Sequence, residues 1–190
     1  MKIQKNLAST RQRWLNKPMQ ANKLQPWLID NGSLTARLQQ HFSTFAVEPT
    51  VVKYGKLIQD EAALLHQPNY QISLIREVLL ISDQQPVVFA HSILPRTSLQ
   101  GAWHGLGRLG NKPLGATLFA NPKVKRTTLS YKKLTPNHAL YQHATRHLTQ
   151  KPEVRKPSYL WARRSIFSLS CANIMVTEVF LPQLLVTKRV

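Results

Sequence analysis

The chain has 190 residues, the length of one ordinary domain and enough to bury roughly 70% of its unfolded surface without staples. Its hydrophobic fraction of 43% and its 19 Pro and Gly residues (12 and 7) exclude a disordered chain and a collagen or linker class. The remaining unusual quantity is charge: 26 Lys and Arg stand against 8 Asp and Glu, a formal net charge of +18.

Such an excess points to an anionic partner: nucleic acid, an anionic membrane surface or an anionic ligand. The charge is spread along the chain. Residues 1–29 carry six basic residues and no acid, and residues 84–152 carry ten and no acid. No block of five or six basic residues marks a nucleic-acid tail. No run of 18 apolar residues predicts a membrane-spanning helix. Met1 to Trp14 has no apolar stretch of the secretory type, so a cytoplasmic location is expected. The single cysteine, Cys171, excludes an internal disulfide and a cysteine-rich zinc site.

In chain order, residues 1–26 read as a basic, flexible N-terminal segment interrupted by Pro18 and Pro26, and residues 27–190 as one domain. Leu34, Leu38, Phe42 and Phe45 recur at helical spacing behind Ser33, a plausible N-cap. Val51–Lys56 reads as a short strand, and Asp60–Leu65 as one helical turn. Gln71–Ser82 and Val87–Leu94 form a hairpin around a turn at Asp83–Pro86. Thr97 or Ser98 can cap a helix from Leu99 to about Leu109, with Gly110 as its stop. Pro113 then opens a short helix through Phe119.

Val124–Leu134 reads as a strand. Residues 135–158, with three prolines, three histidines and no apolar period, read as a long loop insertion. A last hairpin pairs Ser165–Cys171 with Ile174–Leu181 across Ala172–Asn173. Hairpins with helices between them predict an α+β single domain, an antiparallel β-sheet with helices packed on it.

Gly105, Gly107 and Gly110 spell G-x-G-x-x-G, but they follow a helix and no acid occurs between residues 84 and 152, so a helix end is the better reading. His138, His143 and His147 have no acid or cysteine close by to complete a metal site and read as polar loop residues. Cys171 reads as a small apolar strand residue.

Strand alternation gives the sharper signal. One face of Gln71–Ser82 carries Ile72, Leu74, Arg76, Val78 and Leu80, and one face of Ile174–Leu181 carries Ile174, Val176, Glu178 and Phe180. Each charge stands in the middle of an apolar row and needs a partner: the other charge, a ligand or water. Arg76 in a dry cavity would clamp a carboxylate, and Glu178 would bind a hydroxyl or move a proton. Glu77 shares the opposite face with Ile75, Leu79 and Ile81, yet could simply point to solvent.

Three segments resemble the chorismate pyruvate-lyase family: Ile75-Arg76-Glu77-Val78-Leu79-Leu80, then Leu109-Gly110-Asn111-Lys112-Pro113-Leu114-Gly115, then Leu160-Trp161-Ala162-Arg163-Arg164-Ser165 leading into Thr177-Glu178-Val179-Phe180-Leu181-Pro182. The resemblance implies helical flaps over an internal ligand site. It implies elimination of pyruvate from chorismate to give 4-hydroxybenzoate for ubiquinone, without a cofactor or metal. It matches Arg76 to the residue that holds the ring carboxylate and Glu178 to the one that contacts the 4-hydroxyl. Leu114 and Leu34 match residues lining the site. A monomer without a nucleic-acid partner is expected, the excess charge serving substrate capture or a weak electrostatic contact with anionic membrane. The competing readings are a non-catalytic effector-sensing domain of the same fold type and a basic nucleic-acid-binding protein.

Overall fold

The computed structural model describes residues 13–68, 70–148 and 156–186. Helices α1 (Gln25–Ile29) and α2 (Leu34–His41) lead into strand β1 (Phe45–Lys56). Helix α3 (Gln59–Leu64) precedes the hairpin of β2 (Ile72–Ser82) and β3 (Gln85–Pro95). Helices α4 (Arg96–Gln100) and α5 (Leu114–Ala120) are followed by β4 (Lys125–Arg126), β5 (Ser130–Leu134) and α6 (Ala139–Thr145). The hairpin of β6 (Leu160–Leu169) and β7 (Ala172–Phe180) and the short helix α7 (Gln183–Val186) close the order.

All pairings are antiparallel, in the order β1-β2-β3-β7-β6-β4, with β5 also pairing β6. The α+β reading holds: one sheet carries helices on both faces. On one face Leu28, Leu34, Leu38, Val78, Val88 and Phe180 share a core, extended by Leu74, Trp103, Leu114 and Phe167. On the other, Leu79, Phe89, Leu134, Leu140, Tyr141 and Val179 pack together.

Several expected boundaries move for identifiable reasons. Strand β1 is twelve residues long and begins six residues before the expected strand, because an edge strand tolerates Pro49 at a register shift. The expected helix from Leu99 to Leu109 breaks into α4 and a 3-10 turn at Leu106–Arg108, with Gly105 at φ 92° between them. The strand expected over Val124–Leu134 is split into β4 and β5. The loop expected at 135–158 contains α6, capped by the Nδ1 of His138, which accepts the Leu140 N–H at 3.2 Å. Its buried face is short, Leu140, Tyr141, Ala144 and Thr145, and the surrounding prolines mask the period.

The last hairpin turns at Ser170–Cys171, both at positive φ (48° and 65°), two residues earlier than expected. Cys171 is therefore an exposed turn residue, not an apolar strand residue. The N-terminal segment is tied down where it is described. Leu15 exchanges backbone hydrogen bonds with Tyr131 at 2.7 and 2.8 Å, and Trp14 Nε1 donates to Asp60 at 2.7 Å. The expectation for residues 1–12 lies outside the described residues.

Glu77 does not face solvent; it is 4% exposed and sits at the centre of a buried polar cluster. Its Oε1 bonds the Nδ1 of His91 at 3.0 Å and the Nδ1 of His143, from α6, at 2.8 Å. The other ring nitrogen of His91 lies 3.3 Å from Oε1 of Glu61, from α3, and Oε2 of Glu61 accepts the Ile58 N–H at the start of that helix. The cluster thus fastens α3 and α6 to the sheet.

Burial alone would push Glu77 up, but hydrogen bonds from the two histidines bring it down to about 2. Burial alone would neutralise His91, but the carboxylates of Glu61 and Glu77 raise it to about 9. A raised histidine stabilises fully below its unfolded value of 6.5, and that contribution drains away as pH rises toward about 9. A depressed carboxylate stabilises fully above 4.5 and loses its contribution as pH falls toward about 2. Chemical denaturation across this range is expected to show highest stability between 4.5 and 6.5 and an alkaline decline that His91→Gln removes. A flat wild-type profile up to pH 9 would count against the cluster.

Candidate active site

The opposite face of the same strands lines a cavity. Alternation along β2 puts Arg76, Val78 and Leu80 on that face, β3 adds Ala90 and Ser92, and β7 adds Val176 and Glu178. Helices α2 and α5 lie over it, contributing Leu34 and Thr35 from one and Leu114, Gly115, Leu118 and Phe119 from the other. Ser33 caps α2 by accepting the Ala36 N–H at 3.3 Å, as its position predicts. The two helices meet closely: a Cβ on Gly115 would sit 3.4 Å from Thr35 Oγ1. The space enclosed between sheet and helices is small, about 40 Å³.

All four residues expected at a site, Leu34, Arg76, Leu114 and Glu178, line this one cavity. The cross-strand register sets their spacing. Arg76 pairs with Ser92, which pairs with Val176, which pairs with Ser165. The neighbouring row on the same face runs Val78, Ala90, Glu178, Arg163. Arg76 and Glu178 are thus two strands and two residues apart, about 12 Å between Cα atoms on sheet dimensions.

Arg76 and Glu178 do not pair with each other. One Nη of Arg76 donates to the backbone carbonyls of Gly110 and Lys112 at 2.9 and 3.1 Å. The glycine run therefore has a role its sequence did not disclose. Gly110, at φ 51°, turns the chain so that these carbonyls face the guanidinium. Burial pulls the Arg76 pKa below its ordinary value, and a guanidinium still stays charged there. Arg76 has no carboxylate partner among the described residues.

Glu178 is held instead by Arg163, whose Nε lies 2.5 Å from Oε2. Arg163 is fully buried, and its Nη1 donates to the carbonyls of Trp27, Leu28 and Asp30 at 2.8, 3.2 and 2.6 Å. It fastens the end of α1 to the sheet and fixes the orientation of Glu178. Sequence reasoning missed this partner. Arg163 and Arg164 are adjacent, so each strand face of β6 carries one arginine and neither stands out. Arg164 faces the other way, donating to Asp60 at 3.0 Å over the Trp14 ring.

A second missed residue is Arg126, on the two-residue strand β4. It lines the cavity, donates through Nε to Ser165 Oγ at 2.8 Å and through Nη1 to the Asn31 carbonyl at 2.9 Å, and lies over the rings of Phe119 and Phe167. In sequence it looks like one of several solvated cations beside Lys123 and Lys125. Its desolvation on a strand edge is visible only in the fold.

The remaining sequence candidates have structural employment. His138 caps α6, His143 bonds Glu77, and the His147 ring stacks on Phe89 at 6.1 Å. No group of three or more His, Cys, Asp and Glu is placed to hold a metal among the described residues, and none of their helices is long and apolar enough to cross a membrane.

One small cavity thus brings together the guanidiniums of Arg76 and Arg126, neither in an ion pair with a carboxylate among the described residues, and the carboxylate of Glu178. The fold is shared with ligand-binding domains of regulators. A GntR-family transcriptional regulator from Bacillus cereus superposes with a TM-score of 0.53 at 12% identity, over 78% of this chain and 99% of that one. The family model described as chorismate lyase matches residues 8–190. A probable chorismate pyruvate-lyase from Methylobacillus flagellatus is 47% identical over 92% of this chain and 96% of its own. Another, from Nitrosospira multiformis, is 46% identical over 84% and 86%. The chain belongs to the chorismate lyase family.

Removing Arg163 would leave Glu178 without its partner and three carbonyls without a donor. Arg163→Met is expected to destabilise the fold by about 3–5 kcal/mol in chemical denaturation. Glu178→Gln in the same background should cost less than it does alone, since the two changes remove one interaction. A loss near zero for Arg163→Met would mean the pair does not hold the site.

Proposed function

We propose that this protein is a chorismate pyruvate-lyase, eliminating pyruvate from chorismate to give 4-hydroxybenzoate, the aromatic precursor of ubiquinone. The observation that carries the reading is the family match over residues 8–190, with relatives of that name nearly as long as this chain. The cavity supports it chemically.

Chorismate carries a ring carboxylate at C1, a hydroxyl at C4 and an enolpyruvyl ether at C3. In the reaction the C3–O bond breaks and its electron pair goes to the leaving oxygen. The C4 proton is lost, and its bonding pair becomes the C3–C4 double bond that completes the aromatic ring. The enolate so released takes up a proton at its methylene carbon and becomes pyruvate. Aromatisation supplies the driving force, so the protein's part is to orient the ring, exclude water and stabilise charge on the leaving oxygen.

In our reading Arg76 holds the ring carboxylate. Its other bonds, to Gly110 and Lys112, fix the fork before substrate arrives. Glu178 receives the 4-hydroxyl at the far end of the ring, with Arg163 locking its orientation. Leu34 and Leu114, from the two covering helices, close over the ring and keep water out. The formal charge of +18 raises the local concentration of a dianionic substrate.

The test is to mix the purified protein with chorismate and follow both products. Equimolar 4-hydroxybenzoate and pyruvate are expected. Arg76→Ala and Glu178→Ala are each expected to lower kcat/KM by about 100-fold or more. Saturable binding of 4-hydroxybenzoate without turnover would overturn the lyase reading in favour of a sensor.

A further inference from the structure

Chorismate is a dianion, and the residues assigned so far meet one of its two carboxylates. We infer that Arg126 is the second anion clamp, binding the carboxylate of the enolpyruvyl group and standing beside the oxygen on which charge develops as the C3–O bond breaks. The inference rests on the lyase reading, with Arg76 at the ring carboxylate and Glu178 at the 4-hydroxyl.

Three observations carry it. The first is position. Arg126 reaches Ser165, which ends the row Arg76, Ser92, Val176, Ser165, so the two guanidiniums approach the cavity from opposite sides. The second is proximity to Glu178. Burial pulls the Arg126 pKa down, and the Glu178 carboxylate is the charge that most opposes it. The substrate's ether is on C3, next to the C4 hydroxyl, so the group that leaves lies at the Glu178 end of the ring and far from Arg76. Arg126 is the cavity-lining cation on that side.

The third is charge balance. Glu178 already has Arg163, while Arg76 and Arg126 are bonded to carbonyls and a hydroxyl and have no carboxylate among the described residues. The Nη2 of Arg126 is left free of the two bonds that fix the fork, which use Nε and Nη1. A dianion bridging Arg76 and Arg126 neutralises both. A monoanionic ring such as 4-hydroxybenzoate neutralises Arg76 only. The site therefore distinguishes substrate from product by one carboxylate, and Arg126 is where the distinction is made.

The experiment compares chorismate turnover with equilibrium binding of 4-hydroxybenzoate, measured by calorimetry, for wild type, Arg126→Ala, Arg126→Lys and Arg76→Ala. Arg126→Ala is expected to lower kcat/KM by about 100-fold or more, on kcat as well as KM, while changing the 4-hydroxybenzoate Kd by less than about threefold. Arg126→Lys, which keeps the charge without the fork, should recover part of the rate. Arg76→Ala should lose both turnover and product binding.

Retained product binding also certifies that the cavity of the variant is folded. Should the alanine variant not fold, Arg126→Gln carries the same comparison, since it can keep the Ser165 bond without the charge. Near wild-type kcat/KM, or a loss of product binding in step with turnover, would overturn the assignment. A wild-type protein that makes no 4-hydroxybenzoate at all would fail the lyase reading itself, before any variant is compared.

Discussion

The site depends on one buried ion pair. Arg163, on β6, has no exposed surface, and its guanidinium divides between the carboxylate of Glu178 and the carbonyls that end α1. Left alone, either charge in this position would destabilise the fold strongly. Together they fix the direction in which Glu178 presents its free oxygen, and they hold the N-terminal helices where α2 can cover the cavity. The geometry of the carboxylate and the closure of the site are thus one interaction seen from two sides.

The sheet separates its two tasks by parity. Arg76 and Glu77 are neighbours in sequence and face opposite ways. On one face the strands present guanidiniums and a carboxylate to a cavity. On the other, Glu77 bonds His91 and His143, Glu61 lies against the second ring nitrogen of His91, and the cluster fastens two helices. Polar groups are therefore buried on both faces. On the cavity side Arg76 and Arg126 form no ion pair with a carboxylate among the described residues, whereas the charges of the other cluster face one another.

Much of this was legible in the sequence, and the limits have physical causes. Arg76 and Glu178 stood out because each interrupts an apolar row of period two, and the central hairpin was bounded by clear turn residues. Leu34 and Leu114 came only with the family resemblance; their patterns are those of any short amphipathic helix. Arg163 was masked by Arg164, and Arg126 by neighbouring lysines, because a charge run reads as solvated until the fold shows which member is desolvated. The Ser170–Cys171 turn uses residues that seldom take positive φ, so the hairpin was placed two residues late. Helix α6 was hidden because one turn and a half of apolar spacing cannot be separated from loop.

The carbonyl clamp on α1 also orders events during synthesis. Asp30 and Arg163 are 133 residues apart, and the strand that carries Glu178 follows later still. The β1–β2–β3 meander is complete by residue 95 and can pair from local contacts, whereas β7, which lies between β3 and β6, is the last strand to be made. Until it arrives, β3 is an open apolar edge and Arg76 faces no opposite wall. The docking of α1 waits on Arg163 of β6, made 133 residues after Asp30, and the wall that carries Glu178 waits on β7. The cavity therefore cannot close in a growing chain before both of these strands have been made.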